Sequence, residues 1–182
     1  MKKVLVLSFV FSAAFLTACP KPQVVQQESS VVETQTVGNL KKDSIDLNYD
    51  KKPDIWNYFS TEGKARLIRK ESDLNFDGRP DVTSHYEGGQ LAKEEVDADF
   101  DGRTDWVDFY GEGAKRVRQE WDTNFDGKVD MWKYFDGGKL LRKERDTDLN
   151  GKPDYFEFYE NDQVTRRARD TDGDGKEDAW LQ

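Results

Sequence analysis

Asp122, Asn124, Asp126 and Asp130 place side-chain oxygens at positions 1, 3, 5 and 9 of a nine-residue stretch, with Gly127 at position 6. Hard oxygens at alternate positions, folded inward by a sharp turn, are a donor set for a cation. Ca²⁺ suits it, because that ion takes six to eight oxygens at roughly 2.3–2.6 Å and tolerates irregular geometry. Glycine at position 6 lets the backbone turn back with φ > 0. The frame recurs five more times: Asp46, Asn48, Asp50 and Asp54; Asp73, Asn75, Asp77 and Asp81; Asp97, Asp99, Asp101 and Asp105; Asp146, Asp148, Asn150 and Asp154; Asp170, Asp172, Asp174 and Asp178. Of these ligand positions 20 are Asp and 4 are Asn. A simpler reading exists, since Asp, Asn and Gly also make turns without metal by bonding nearby backbone amides. Six copies in one frame favour the metal, because massed carboxylates repel unless something positive sits between them.

The loops resemble the DxDxDGxxD loops of EF-hand-like calcium families, namely the FG-GAP hairpins of integrin-type propellers and the thrombospondin type 3 repeats. The resemblance covers the six loops and not the segments between them. It is specific for Ca²⁺ and says little about function. The first loop departs from it, with Lys51 at position 6. Position 12 is not the regular Glu of an EF-hand but Asn57, Ser84, Asp108, Lys133, Glu157 and Leu181 in turn. The resemblance therefore implies closure by Asp at position 9, as in the FG-GAP type. Position 7 is always basic (Lys52, Arg79, Arg103, Lys128, Lys152, Lys176), which fits a residue lending its carbonyl while its side chain points to solvent.

The elements that hold these loops read as a repeat. Loop starts are separated by 27, 24, 25, 24 and 24 residues, and a period in the twenties signals a repeat architecture. After each loop comes an aromatic and β-branched run such as Ile55–Phe59 or Tyr155–Tyr159, the composition of a strand. A turn dipeptide follows: Glu62-Gly63, Gly88-Gly89, Glu112-Gly113, Gly137-Gly138 or Asn161-Asp162. Such pairs suit two-residue hairpins. The predicted fold is all-β: tandem β-hairpins in an antiparallel meander, open or closed, joined by calcium-binding loops along one edge. The array is expected to begin on a half repeat near Leu40 and Lys42 and to end on the complementary half at Ala179-Trp180-Leu181. Phe59, Tyr86, Tyr110, Phe135 and Tyr159 form one aromatic column, and Tyr58, Phe109, Tyr134 and Phe158 another on the opposite face, which predicts burial on both sides.

Three segments follow from this reading: residues 1–19 as a leader, 20–38 as a flexible tether, and 39–182 as the six-loop domain. Lys2 and Lys3 precede an apolar run too short to stay in a membrane, the pattern of a signal peptide. Leu16-Thr17-Ala18-Cys19 resembles the lipobox of bacterial lipoproteins, which implies acylation of Cys19 by chains such as palmitate and anchoring in the membrane. Cys19 is the only cysteine, so a disulfide within one chain is excluded. Pro20 in place of Asp leans the expectation to the outer membrane or cell surface. The stretch 20–38 has no aromatic and no periodic apolar face, as in a tether.

With 36% charged residues and 35% hydrophobic ones, the core must be modest. The formal charge of −9 becomes more negative by two once Lys2 and Lys3 leave. Folding is therefore expected to depend on calcium. Nucleic acid is excluded as a partner by this acidic balance and the exported location. No catalytic set emerges. The one histidine, His85, stands in a slot otherwise aromatic. Asp108 and Glu157 are the nearest carboxylates outside the loops for a hydrolase. Arg69, Lys93, Arg118 and Arg142 recur two residues before Glu71, Glu95, Glu120 and Glu144, as charge ladders. The chain is thus expected to be a membrane-anchored calcium-binding lipoprotein, not an enzyme. Its role would be structural, adhesive or partner-binding in the bacterial envelope, through an envelope protein or polysaccharide. The alternative is a polysaccharide-binding module that uses an exposed aromatic ladder.

Overall fold

A computed structural model describes residues 30–181, so the leader, Cys19 and the first part of the tether lie outside the described residues. The strands are β1 (Ser30–Val37), β2 (Leu40–Asp46), β3 (Ile55–Ser60), β4 (Arg66–Ser72), β5 (Val82–Glu87), β6 (Gln90–Val96) and β7 (Trp106–Tyr110). They continue with β8 (Arg116–Trp121), β9 (Met131–Asp136), β10 (Lys139–Arg145), β11 (Tyr155–Glu160), β12 (Gln163–Arg169) and β13 (Ala179–Leu181). All thirteen form one antiparallel sheet in sequence order. The terminal strands do not pair with each other, so the meander is open. The only helical piece among the described residues is a 3₁₀ turn at Glu112–Ala114.

Ser30–Val37, read from sequence as tether, form β1 and pair along the length of β2. The array therefore opens on a complete hairpin and ends on the single strand β13. Val and Thr supply the β preference of this segment, and the free edge of β2 supplies the partner.

Each hairpin turn obeys its length. Gly88-Gly89, Gly137-Gly138 and Asn161-Asp162 all have φ between 51° and 88°, as a two-residue turn with both central residues left-handed requires. Glu62-Gly63 and Glu112-Gly113 instead lie within five-residue connections, 61–65 and 111–115. Those longer turns account for the 27- and 25-residue steps.

One device left no mark in the sequence. From β4 onward, the second strand of every hairpin carries a bulge at the same place: Ile68, Ala92, Val117, Leu141 and Thr165 fall between shifted registers. A bulge changes which side chains share a face. It sets Leu67 opposite Phe59 while Arg69 stays opposite Tyr58.

The two aromatic columns do lie on opposite faces. One face carries a row that runs across eleven strands: Lys42, Tyr58, Arg69, His85, Lys93, Phe109, Arg118, Tyr134, Arg142, Phe158 and Arg166. The other carries Phe59, Tyr86, Tyr110, Phe135 and Tyr159, paired with Leu67, Leu91, Arg116, Leu140 and Val164. The expected two-sided burial is not found. No second layer covers either face, and Val96, Phe156 and Ala168 are the only buried hydrophobic residues described. The rings are half-buried by lateral packing within the sheet. Arg69 lies 4.0 Å over Tyr58 and Arg142 lies 4.7 Å over Tyr134, cation–π contacts worth about 0.5–1 kcal/mol each when exposed. The charge ladder runs along the strands: Arg69 pairs with Glu71 at 3.1 Å, Lys93 with Glu95 at 2.7 Å, Arg142 with Glu144 at 2.5 Å, and Arg118 with Glu120.

Candidate metal loops

The six Asp/Asn frames are the six connections between hairpins, β2–β3 through β12–β13, and all lie on one edge of the sheet. Strands about 4.8 Å apart set successive loops about 10 Å apart.

The Asp residues at positions 1 and 9 continue the strand ladder before the loop departs. Asp54 O accepts from Asp73 N–H at 2.8 Å, Asp105 O from Asp122 N–H at 2.7 Å, and Asp154 O from Asp170 N–H at 3.1 Å. Position 9 of one loop thus abuts position 1 of the next, at the foot of the same hairpin. These aspartates are buried in the first four loops and at Asp146, whereas positions 3 and 5 are exposed in every loop. Like charges set opposite on neighbouring strands are destabilising. Backbone amides offset part of that cost.

The amide pattern repeats loop by loop. The position-1 carboxylate accepts from the position-6 N–H: Lys51 to Asp46 at 2.8 Å, Gly78 to Asp73 at 2.7 Å, Gly102 to Asp97 at 2.7 Å, Gly127 to Asp122 at 2.6 Å, Gly151 to Asp146 at 2.6 Å, and Gly175 to Asp170 at 2.7 Å. Oδ1 of position 3 accepts from the position-5 N–H, as at Asn75 from Asp77 at 2.9 Å. Oδ1 of position 5 accepts from the position-7 N–H, as at Asp101 from Arg103 at 2.8 Å. Oδ2 of position 9 accepts from the N–H groups of positions 2 and 3, as at Asp81 from Leu74 at 2.6 Å and Asn75 at 3.2 Å.

This pattern aims the side-chain oxygens inward. The carboxylates of Asp97, Asp99 and Asp101 bring oxygens within 4.8 Å of one another, as do those of Asp146, Asp148 and Asp154, and of Asp170, Asp172 and Asp178. A cluster of exposed acidic groups can exist without an ion, so the donor chemistry must be weighed. All donors are hard oxygens, the set that suits Ca²⁺ or Mg²⁺. Partial desolvation, with the charges of Asp101, Asp105 and Asp97, pushes the Asp99 carboxyl above its ordinary range. The residues present fit a divalent cation.

Lys51 does not spoil the first loop. It takes the left-handed conformation at φ 74° and still donates to Asp46. Position 4 is left-handed too: Tyr49, Phe76, Phe100, Phe125 and Leu149 have φ of 60–65°, and only the sixth loop uses glycine, Gly173. For an L-residue this conformation costs roughly 1–2 kcal/mol. Nothing in the Asp/Asn frame foretells it.

The basic residue at position 7 does not simply point to solvent. Arg103 pairs with Asp101 in its own loop and donates to Asp126 O at 3.2 Å and Phe125 O at 3.3 Å in the next. Lys152 Nζ donates to Gly173 O at 2.8 Å, again one loop onward. A Cβ at Gly127 would meet Arg103 Nη1 at 3.0 Å. Glycine there serves the turn and also clears the bridge.

The residues considered for catalysis do not assemble. His85 Nε2 lies 2.8 Å from Glu95 Oε2, and Lys93 binds the same carboxylate. Asp108 is buried and held by Arg116 and Gln119; Glu157 is buried and held by Arg145, Tyr159 and Arg167. They sit four strands apart, about 19 Å, beyond the separation of a glycosidase pair. A recess of about 290 Å³ beside the third and fourth loops is lined by Trp106, Trp121, Phe125, Met131 and Lys133. Trp121 has Trp106 stacked at 4.9 Å and Lys133 at 5.1 Å. Burial, together with Lys143 and Arg116, lowers the Lys133 ammonium from its ordinary range.

No family model matches this chain. No curated protein matches it either. Among solved structures, a mutant of S. aureus TarM in complex with fondaparinux, alpha-GlcNAc-glycerol and UDP is similar at 14% identity over 72% of this chain, with a TM-score of 0.28. The glycosylation associate protein (Gap123) complex from Streptococcus agalactiae gives 15% identity over 64% and a TM-score of 0.30. A GtfA/B complex gives 10% over 76% and 0.31. The chain spans only 19–21% of those chains, and likeness at this level carries no argument about fold or activity.

Proposed function

We propose that this chain is a calcium-binding lipoprotein of the bacterial envelope. On this reading Cys19 carries acyl chains, and the array has a structural, adhesive or partner-binding role. The observation that carries the reading is the sixfold repetition of one Asp/Asn amide-bonding scheme, which in the third, fifth and sixth loops brings three carboxylate oxygens within 4.8 Å of one another. Bound Ca²⁺ would supply charge neutralisation and rigidity at the edge of a sheet that has almost no buried core. At a tenfold excess over Kd each site adds about 1.4 kcal/mol to stability, and six add about 8 kcal/mol. That is comparable with the whole stability of an ordinary domain. Sites outside the cytosol commonly bind at about 10⁻⁴–10⁻³ M.

A sugar-stacking ladder is the poorer reading. Tyr58 has Lys42 at 5.4 Å and Arg69 at 4.0 Å on its two flanking strands, and Phe109 has Lys93 at 6.0 Å and Arg118 at 5.4 Å. On that face of the sheet the rings carry cations where a pyranose would stack.

Isothermal titration of the chain with Ca²⁺ tests the metal reading. Several equivalents bound per chain are expected. Titration with no heat beyond dilution, in a chain shown to be folded, overturns it. Release of the protein from membranes by Cys19→Ser tests the anchor.

A further inference from the structure

The loop edge has a polarity of its own that the metal frame does not require. Positions 2 and 4 are not ligands, yet in the first three loops they carry Leu47, Leu74, Phe76 and Phe100, which are 44–56% exposed. Towards the far end the same positions become Thr123 and Phe125, Thr147 and Leu149, then Thr171 and Gly173; Phe125 and Leu149 are still 47% and 52% exposed, so the change up to the fifth loop lies at position 2, where threonine replaces leucine or alanine. The apolar content thus falls from the first loop to the sixth. The chain enters the sheet at the apolar end and on the same edge: Ser30 pairs with Asp46 beside the first loop, while Val37 and Leu40 meet at the hairpin turn opposite. The stretch from Cys19 to Ser30 spans at most about 35–40 Å.

We infer that the first three loops form a membrane-docking edge, in which the exposed apolar side chains enter the headgroup region of an anionic bilayer and loop-bound Ca²⁺ is shared with lipid phosphates. This rests on the calcium reading above. Charge decides the dependence on metal. The chain is −9 overall and its loop mouths are carboxylates, so the metal-free edge is repelled by an anionic surface. With calcium bound, the loops offer cations to phosphate oxygens, ligands as hard as the carboxylates themselves. Sheet twist of roughly 20–25° per strand carries successive loops around the array axis. A run of neighbouring loops therefore docks, not all six.

The test uses the chain from Pro20 onward, which keeps all thirteen strands and lacks the acyl anchor. It is sedimented with vesicles of phosphatidylcholine containing a minority of phosphatidylglycerol, in millimolar Ca²⁺ and in EDTA. Binding is expected in Ca²⁺, with release by EDTA and little binding to pure phosphatidylcholine. The triple variant Leu74→Ser, Phe76→Ser, Phe100→Ser should lose about tenfold or more in partitioning, whereas Leu149→Ser should change it less than about twofold. Thermal melting of every variant in Ca²⁺ and in EDTA separates docking from metal binding. A melt raised by Ca²⁺ without vesicle binding overturns the docking edge and leaves the calcium sites standing. Undiminished binding by the triple variant, or binding retained in EDTA, also overturns it. A melt indifferent to Ca²⁺ removes the calcium reading and the docking edge together.

Discussion

The first three loops and the last three share one backbone and differ in how the closing aspartate is held. In loops 46–54, 73–81 and 97–105, position 2 is Leu47, Leu74 or Ala98, and the position-9 carboxylate is bonded by backbone amides. In loops 122–130, 146–154 and 170–178, position 2 is threonine. Thr123 Oγ1 donates to Asp130 Oδ1 at 2.7 Å, Thr147 Oγ1 to Asp154 Oδ1 at 2.7 Å, and Thr171 Oγ1 to Asp178 Oδ2 at 3.0 Å. The threonine half secures its carboxylates locally, before any ion arrives. In the other half the side chain at position 2 offers that carboxylate no hydroxyl, and Leu47 and Leu74 there are exposed. The amide scheme common to all six loops belongs to the turn, and what varies is how the closing carboxylate is held and what position 2 presents to solvent.

The largest effect should come from removing a closing carboxylate. Asp105→Ala strips a buried side chain that accepts from the amides of Ala98 and Asp99. A hydrogen bond to a charged acceptor is worth about 1.5–3 kcal/mol, so losing the two is expected to cost about 2–3 kcal/mol in urea denaturation. Asp130→Ala, which also frees the Thr123 hydroxyl, should cost as much or more; a cost far below that of Asp105→Ala would undo the distinction between the two halves. Next, Lys51→Gly should stabilise by about 1 kcal/mol, because it relieves a left-handed lysine while keeping the amide to Asp46. The same denaturation curve reads it. Thr123→Val should cost about 1 kcal/mol in EDTA, and the reciprocal Leu74→Thr should recover part of that at Asp81 and reduce vesicle binding. The smallest effect belongs to Arg103→Ala, which opens the bridge between the third and fourth loops. It should barely move the melting temperature, yet make calcium binding at those two loops more independent in titration.

The loops, their period and the strand runs between them were legible from spacing alone, because four Asp or Asn positions recur at fixed offsets and aromatic residues follow each set. The faces of Tyr58 and Phe59 follow from alternation. The bulges at Ile68, Ala92, Val117, Leu141 and Thr165 were not legible, since a bulge is chosen between two pairings of the same residues and leaves no residue type of its own. Strand β1 was missed because Val31, Thr34 and Val37 carry β preference without an aromatic or a loop beside them, and its partner is the edge of β2. The reach of Arg103 and Lys152 into the following loop depends on a distance between loops that no spacing along the chain encodes. The modest core was legible in composition, with hydrophobic residues outnumbered by charged ones, but the single layer was not, because rings on both faces of a strand fit burial between layers as well as lateral packing beside cations.

Whether a divalent ion belongs to the six loops can be read from far-UV circular dichroism of residues 20–182, followed through thermal melting first in EDTA and then in millimolar Ca²⁺. A sheet signal is expected whose cooperative melt appears or rises strongly only with Ca²⁺. Six ligated loops would add several kcal/mol to a sheet with three buried hydrophobic residues among those described. A melt that is the same in EDTA and in Ca²⁺ would contradict the calcium reading, and would leave the loops as Asp/Asn turns held by their own amides.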